Sequence, residues 1–271
     1  MNELRAEFVA TDLRAAIDRD GFAVLRHVFD RCEIDRSLDD LECVLRMQKD
    51  EEGSIRSSRE LVYAARNLIS VWPRSLELAR APALCQTVCE LLGPGCGLVR
   101  ALFFDKPPGR SWSLPWHKDM TIAVRDNSQP SEHFCKPTTK AGVPHVEAPQ
   151  WLLERILTAR IHLDDVTDEN GPLRVVPGSH RSGKEPLDVA ANDPRVQSIL
   201  VSAGDVLLMR PLVAHSSGNS REGTWRHRRI VHLEFAPAGP LPDSYQWYEF
   251  LSLHREPSDG RSASAACQPT E

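Results

Sequence analysis

The run Trp116-His117-Lys118-Asp119 places an imidazole and a carboxylate two residues apart. On a strand, residues at that spacing point to one face, so both can grip one ion from the same side. A third ligand has to come from another part of the chain, and His215, which closes DVLLMRPLVAH, is the candidate. Two histidines and one carboxylate on one face of an octahedron leave three positions open. That is the donor set of non-haem iron(II) oxygenases, whose open positions take co-substrate and dioxygen. When the co-substrate is 2-oxoglutarate, a cation must hold its far carboxylate, and a guanidinium fork suits a carboxylate better than an ammonium does. The segment Arg226-His227-Arg228-Arg229-Ile230-Val231-His232-Leu233-Glu234-Phe235 follows His215. Strand alternation puts Val231, Leu233 and Phe235 on an apolar face, and Arg228, Ile230, His232 and Glu234 on a face able to line a polar cavity. Arg228 is therefore the first choice for the co-substrate cation and Arg226 the second, while Arg229 falls on the opposite face.

Other residues are candidates for contact with an organic substrate. In Arg160-Ile161-His162 the apolar face is Ala159, Ile161 and Leu163, so Arg160 and His162 are free to face the cavity and bind an acidic group. Arg66 and Asn67 follow a stretch read as helical and are placed to reach the cavity mouth. His145 lies in the polar segment between Arg125 and Gln150, with Lys136 and Lys140. Lys118 alternates away from the metal. His180 lies in Pro177-Gly178-Ser179-His180, which reads first as turn chemistry, as does Asn170-Gly171-Pro172.

These residues need a scaffold of short strands. GLVRALFFDK, SLPWHKDMTIAV, LTARIHLDDV, PLRVVPGSH, DVLLMRPLVAH and RRIVHLEFAP succeed one another between turn residues. That rhythm predicts a mainly β fold with flanking helices, a double-stranded β-helix (jelly-roll, cupin-like) barrel. The barrel core is expected over about 97–237. The stretch before it, to about 95, reads mainly as helix: Leu4, Phe8, Leu13 and Ile17 form a stripe, Ile34 to Met47 and Leu76 to Leu92 are amphipathic, and GFAVLRHVF is a short strand. The segment 125–150 is expected to be a long loop, and such loops often serve as active-site lids. Residues 1–255 form one domain in this reading, and 256–271 a polar disordered tail.

Composition narrows the class. A chain of 271 residues, 41% hydrophobic and 26% charged, can bury a full core as one large domain. Its net charge of −5 argues against nucleic acid or an anionic membrane as partner. There is no apolar run long enough to span a bilayer, and MNELRAEFVATDLRAAIDRDGF lacks a signal-peptide core. Seven cysteines, an odd number without a CxxC pair, fit free thiols and a cytoplasmic location. The expected assembly is a monomer or weak homodimer.

The set WHKD, LDDVTDENGPLRVVPGSH and AHSSGNS with RRIVHLEF, together with DGFAVLRHVFD near the start, resembles the phytanoyl-CoA dioxygenase family of 2-oxoglutarate oxygenases. The resemblance covers roughly residues 15 to 236. It implies Fe(II) held by His117, Asp119 and His215, 2-oxoglutarate on Arg228, and dioxygen-dependent hydroxylation of a small molecule with release of succinate and carbon dioxide. Related halogenases lack the carboxylate ligand, so Asp119 favours hydroxylation. The 125–150 segment departs from the family pattern, so an acyl-CoA substrate is not implied and an acidic small molecule is equally admitted. The alternatives are a cupin-like isomerase or hydrolase using zinc or manganese, and a non-catalytic metal- or ligand-binding barrel.

Overall fold

A computed structural model describes residues 13–47, 55–58, 61–190 and 192–254; the tail expectation and the Leu4–Phe8 part of the first helix lie outside the described residues. Two sheets face each other. The larger has the order β1 (Phe22–Leu25), β12 (Val206–Met209), β9 (Leu157–His162), β14 (Ile230–Ala236), β4 (Gly97–Phe104), β3 (Leu61–Ala65) and β2 (Ile55–Ser58), with β15 (Leu251–Ser252) also on β4. The smaller has the order β11 (Gln197–Ile199), β10 (Leu173–Val175), β13 (His215–Ser217) and β5 (Leu114–His117). A third sheet consists of β6 (Thr121–Ala123), β8 (Val143–Glu147) and β7 (Cys135–Lys140). Facing antiparallel sheets, mainly β with few helices, make this a jelly roll.

Alternation decides what each face of the large sheet packs against. Ala159 and Ile161 of β9, Val231, Leu233 and Phe235 of β14, and Ala101 and Phe103 of β4 join one core. Helices cover that face. Residues 13–20 (α1) give Leu13 and Ile17, α2 (Arg31–Met47) gives Ile34 and Leu41, α4 (Arg74–Ala79) gives Leu78, and α5 (Pro82–Leu92) gives Leu84 and Val88. Two shorter helices complete the set, α3 (Leu68–Val71) before α4 and α6 (Gln150–Leu153) after β8. On the other face, Leu207 and Met209 pack against Leu173 and Val175 of the small sheet. Both sides of a core strand such as β12 are thus apolar, as burial on both faces requires. Among the described residues no helix is long and apolar enough to cross a membrane.

Three expectations need correction. The flank before residue 95, expected mainly as helix with one short strand, also holds β2 and β3, which extend the large sheet, so Arg66-Asn67 follow a strand and not a helix. Beyond β14, Leu241, Tyr245 and Trp247 are buried in a further cluster. DVLLMRPLVAH is two strands in two sheets, β12 and β13, separated by a turn in which Val213 N–H donates to Arg210 O at 3.1 Å. The 125–150 segment is not a structureless loop. It holds the hairpin β7–β8, which pairs with β6 and buries Phe134 and Val146. Its two-residue turn has Ala141 at φ 51° and Gly142 at φ 73°, both left-handed, the geometry that matches strand twist in tight hairpins.

Candidate active site

His117 and His215 are cross-strand partners on β5 and β13, and their rings lie 4.1 Å apart. Each ring Nδ1 meets a backbone carbonyl two residues back: Pro115 O at 2.8 Å for His117, Val213 O at 2.9 Å for His215. A carbonyl only accepts, so the proton sits on Nδ1 and each Nε2 lone pair is free. Those Nε2 atoms lie 3.8 and 3.6 Å from the two carboxylate oxygens of Asp119. One donor atom from each of the three residues falls within 4.8 Å of the others. Asp119 stands beyond the end of β5, where its backbone N–H donates to Pro211 O at 2.9 Å. Between the two ligand candidates, Lys118 turns away and is buried among Ser179 O, Ser182 Oγ and Gly183 O at 3.1, 2.9 and 2.7 Å.

Burial pushes the Asp119 carboxyl up, but the charges of His215, His232, His117 and Arg100 outweigh it and hold it at about 2. Burial, against the pull of Asp119, lowers His215 to about 4. At neutral pH the cluster therefore offers an ionised carboxylate and an unprotonated His215, the forms a metal needs. Two imidazole nitrogens and a carboxylate, converging with free lone pairs, fit a divalent transition metal.

The cluster opens into a cavity of about 610 Å³. Its floor carries a chain of hydrogen bonds: Arg160 Nη1 donates to His232 Nδ1 at 3.3 Å, His232 Nε2 to Glu234 Oε1 at 3.3 Å, and Arg100 Nη1 to the same Oε1 at 3.1 Å. At one end Arg228, just before β14, is buried with its Nε unpartnered and its guanidinium 5.9 Å from the Trp112 ring. Burial, then the neighbouring Arg160, lowers Arg228 to about 9. Behind it Lys106 is fully buried and donates to Ser217 Oγ at 3.0 Å. Burial, then Arg228, Arg160 and Arg174, lowers it to about 6. Arg160 and Arg228 are buried here with one carboxylate, Asp105, which His227 Nδ1 already meets at 2.9 Å, and two guanidiniums against one engaged carboxylate suit an anion.

The remaining candidates divide. Arg66 and Arg160 line the cavity; Arg226, His162, His145 and Asn67 are not among its lining residues. Arg226 stacks 4.9 Å over Trp225 and lies 3.7 Å from Glu169, because β14 begins after it and its position falls in an irregular segment. His162 is buried with Nδ1 3.2 Å from Asp205 O, and burial, then Arg160, lowers it to about 3. His145 is buried on β8 with Nδ1 2.9 Å from Val143 O, and burial, then Arg100, lowers it to about 4. Asn67 donates from Nδ2 to Ala141 O at 3.1 Å, tying the hairpin turn to the start of α3. Arg229 makes paired contacts with Asp164 at 2.7 and 2.9 Å. Sequence reasoning missed Arg100, Lys106 and Trp112. For Arg100 there was a signal, a lone charge inside the apolar run GLVRALFF.

A jelly roll carrying two histidines and a carboxylate beside a buried arginine defines the class to which this molecule is to be compared. The chain belongs to the phytanoyl-CoA dioxygenase (PhyH) family, whose model matches residues 17–228. It is 27% identical over 255 residues to the L-proline trans-4-hydroxylase of Streptomyces griseoviridis, covering 82% of this chain and 84% of that protein. It is 26% identical over 192 residues to the ectoine dioxygenase of Bordetella parapertussis, covering 68% of this chain but only 55% of that protein. The crystal structure of EctD from S. alaskensis with 2-oxoglutarate and 5-hydroxyectoine superposes with a TM-score of 0.61, at 20% identity, covering 83% of this chain and 74% of that one.

Proposed function

We propose that the protein is an Fe(II)- and 2-oxoglutarate-dependent dioxygenase that hydroxylates a small molecule. The observation that carries this is the convergence of the free His117 and His215 Nε2 atoms on both Asp119 oxygens. Family membership and the hydroxylase and dioxygenase relatives support the kind of reaction. Iron(II) held there would supply oxygen activation coupled to oxidative decarboxylation of 2-oxoglutarate to succinate and carbon dioxide. The chain's own residues do the positioning. His117, Asp119 and His215 would hold the ion, and the backbone carbonyls behind the imidazoles fix ring orientation and tautomer. Arg228 takes the distal carboxylate of 2-oxoglutarate, and Trp112 walls that end against water. The chain Arg160–His232–Glu234–Arg100 fixes the floor of the cavity. Succinate release from the Fe(II)-loaded protein is the test. It is expected in the wild type and lost in His117→Ala, Asp119→Ala and His215→Ala, with Ni(II) binding lost in parallel. Metal binding unaffected by all three changes would reject the assignment.

A further inference from the structure

Six basic side chains line the cavity, Arg66, Arg100, Arg110, Lys140, Arg160 and Arg228, against two carboxylates, Asp119 and Glu234. They fall into two groups along β14. Arg228 lies before its first residue and has Arg160 and Asp105 as its charged neighbours. Arg100 lies opposite Glu234, six positions beyond Arg228. Arg160 lies between them, opposite His232, and the strand from Ile230 to Glu234 alone spans roughly 13 Å, so one small co-substrate carboxylate cannot reach both Arg228 and Arg100. Lys140 belongs to the second group, its charged neighbours being Arg100, Arg66, Asp119 and Glu234.

The two carboxylates of that group are already engaged. Glu234 is taken by Arg100 at 3.1 Å, and Asp119 faces the two histidines. Lys140 Nζ donates to the Thr121 hydroxyl at 2.9 Å, a neutral partner, and among the described residues no carboxylate lies within ion-pair distance of it. A half-buried ammonium on a cavity wall, whose carboxylate neighbours Asp119 and Glu234 are engaged by other groups, is poised for an anion from outside. Its placement is also fixed. Lys140 is the last residue of β7, next to the left-handed Ala141, whose carbonyl Asn67 holds at 3.1 Å. Left-handed alanine costs of order 1 kcal/mol and persists where the surroundings over-determine it. Of the whole β7–β8 hairpin, Lys140 alone is among the residues lining the cavity.

We infer that Lys140, backed by Arg66, forms a second anion site at the Arg100 end of the cavity, and that it receives a carboxylate of the organic substrate while Arg228 holds 2-oxoglutarate. The inference rests on the proposed oxygenase reading for the word substrate, but the anion site can be tested without it. Crystals of the Ni(II)- and 2-oxoglutarate-loaded protein soaked in sodium bromide are expected to show an anomalous peak within hydrogen-bond reach of Lys140 Nζ. Lys140→Met should lower its occupancy about tenfold while the 2-oxoglutarate dissociation constant stays within about twofold, and Arg228→Met should do the reverse. Bromide bound elsewhere but not at Lys140 overturns the site. A Lys140→Met protein that loses 2-oxoglutarate as Arg228→Met does overturns the division of roles. A protein that binds no 2-oxoglutarate in any form defeats the oxygenase reading, and the bromide result still judges Lys140. For any compound that stimulates succinate release, the primary amide is expected to stimulate at least about tenfold less than the acid. An amide as effective as its acid overturns the carboxylate assignment.

Discussion

Three neighbouring arginines, Arg226, Arg228 and Arg229, show how position rather than residue type assigns a role. Arg228 is buried in the cavity wall, Arg229 is clamped by Asp164 on the helical side, and Arg226 rests on Trp225. Losing a buried charge-assisted contact to a ligand costs about 2–5 kcal/mol, so Arg228→Ala should raise the 2-oxoglutarate dissociation constant well over tenfold. Arg226→Ala should leave it within about twofold, since an exposed pair contributes about 0–1 kcal/mol. Arg229→Ala should lower unfolding stability without moving that constant. Calorimetric titration of the Ni(II)-loaded variants, with denaturant unfolding alongside, separates the three outcomes. Equal weakening by Arg226→Ala and Arg228→Ala would show that the segment before β14 has another register.

The strands legible in the sequence were those with strict alternation. In β9 and β14, Ala159 and Ile161, then Val231, Leu233 and Phe235, mark the helical side, and so reveal Arg160, His232 and Glu234 on the other. The helix α2 was legible from its apolar stripe for the same reason, whereas Leu76–Leu92, expected as one helix, is two, α4 and α5, because Pro82 starts a new helix. Illegible were elements whose pairing is long-range. CKPTTK lies on an exposed strand with no buried face to set a period, so β7 reads as loop until β8 pairs with it. A bulge at Lys136, which has φ 50°, breaks what alternation it has. The turn after it was hidden by its first residue, since a tight turn with two left-handed positions prefers Asn-Gly to Ala-Gly. Ala141→Asn is therefore expected to raise stability by about 0.5–1 kcal/mol, and Asn67→Ala, which frees the Ala141 carbonyl, to lower it by about 1 kcal/mol. Denaturant midpoints at constant m-value check both. An Ala141→Asn protein less stable than wild type would mean that the observed turn is not the one adopted in solution.

Across the whole molecule, net charge and local charge have opposite signs. The chain carries −5 overall, yet its cavity is lined by six basic groups against two acidic ones. The negative exterior bears on solubility and partner choice, while the interior bears on ligands. The interior also sets the response to acid. His162, His145 and His215 are buried, and burial holds them at about 3, about 4 and about 4, well below the ordinary 6.5. Between about pH 6.5 and 4 the unfolded chain binds protons at these positions and the folded chain does not, so stability falls as pH falls through that window. Each histidine contributes a slope of about 1.4 kcal/mol per pH unit there. Asp119, held at about 2 against an ordinary 3.8, continues the loss below that window, since its folded-state advantage disappears as it protonates. Metal-free protein is accordingly expected to lose stability in two successive steps on acidification. His162, outside the cavity lining, isolates one contribution: His162→Gln should reduce the slope between pH 6 and 4 by about 1.4 kcal/mol per unit while leaving the step below pH 4 in place. Urea unfolding of both proteins across that range measures the difference. An unchanged slope in His162→Gln would show that this imidazole is protonated inside the folded protein, and that a counter-charge reaches it between β9 and Asp205.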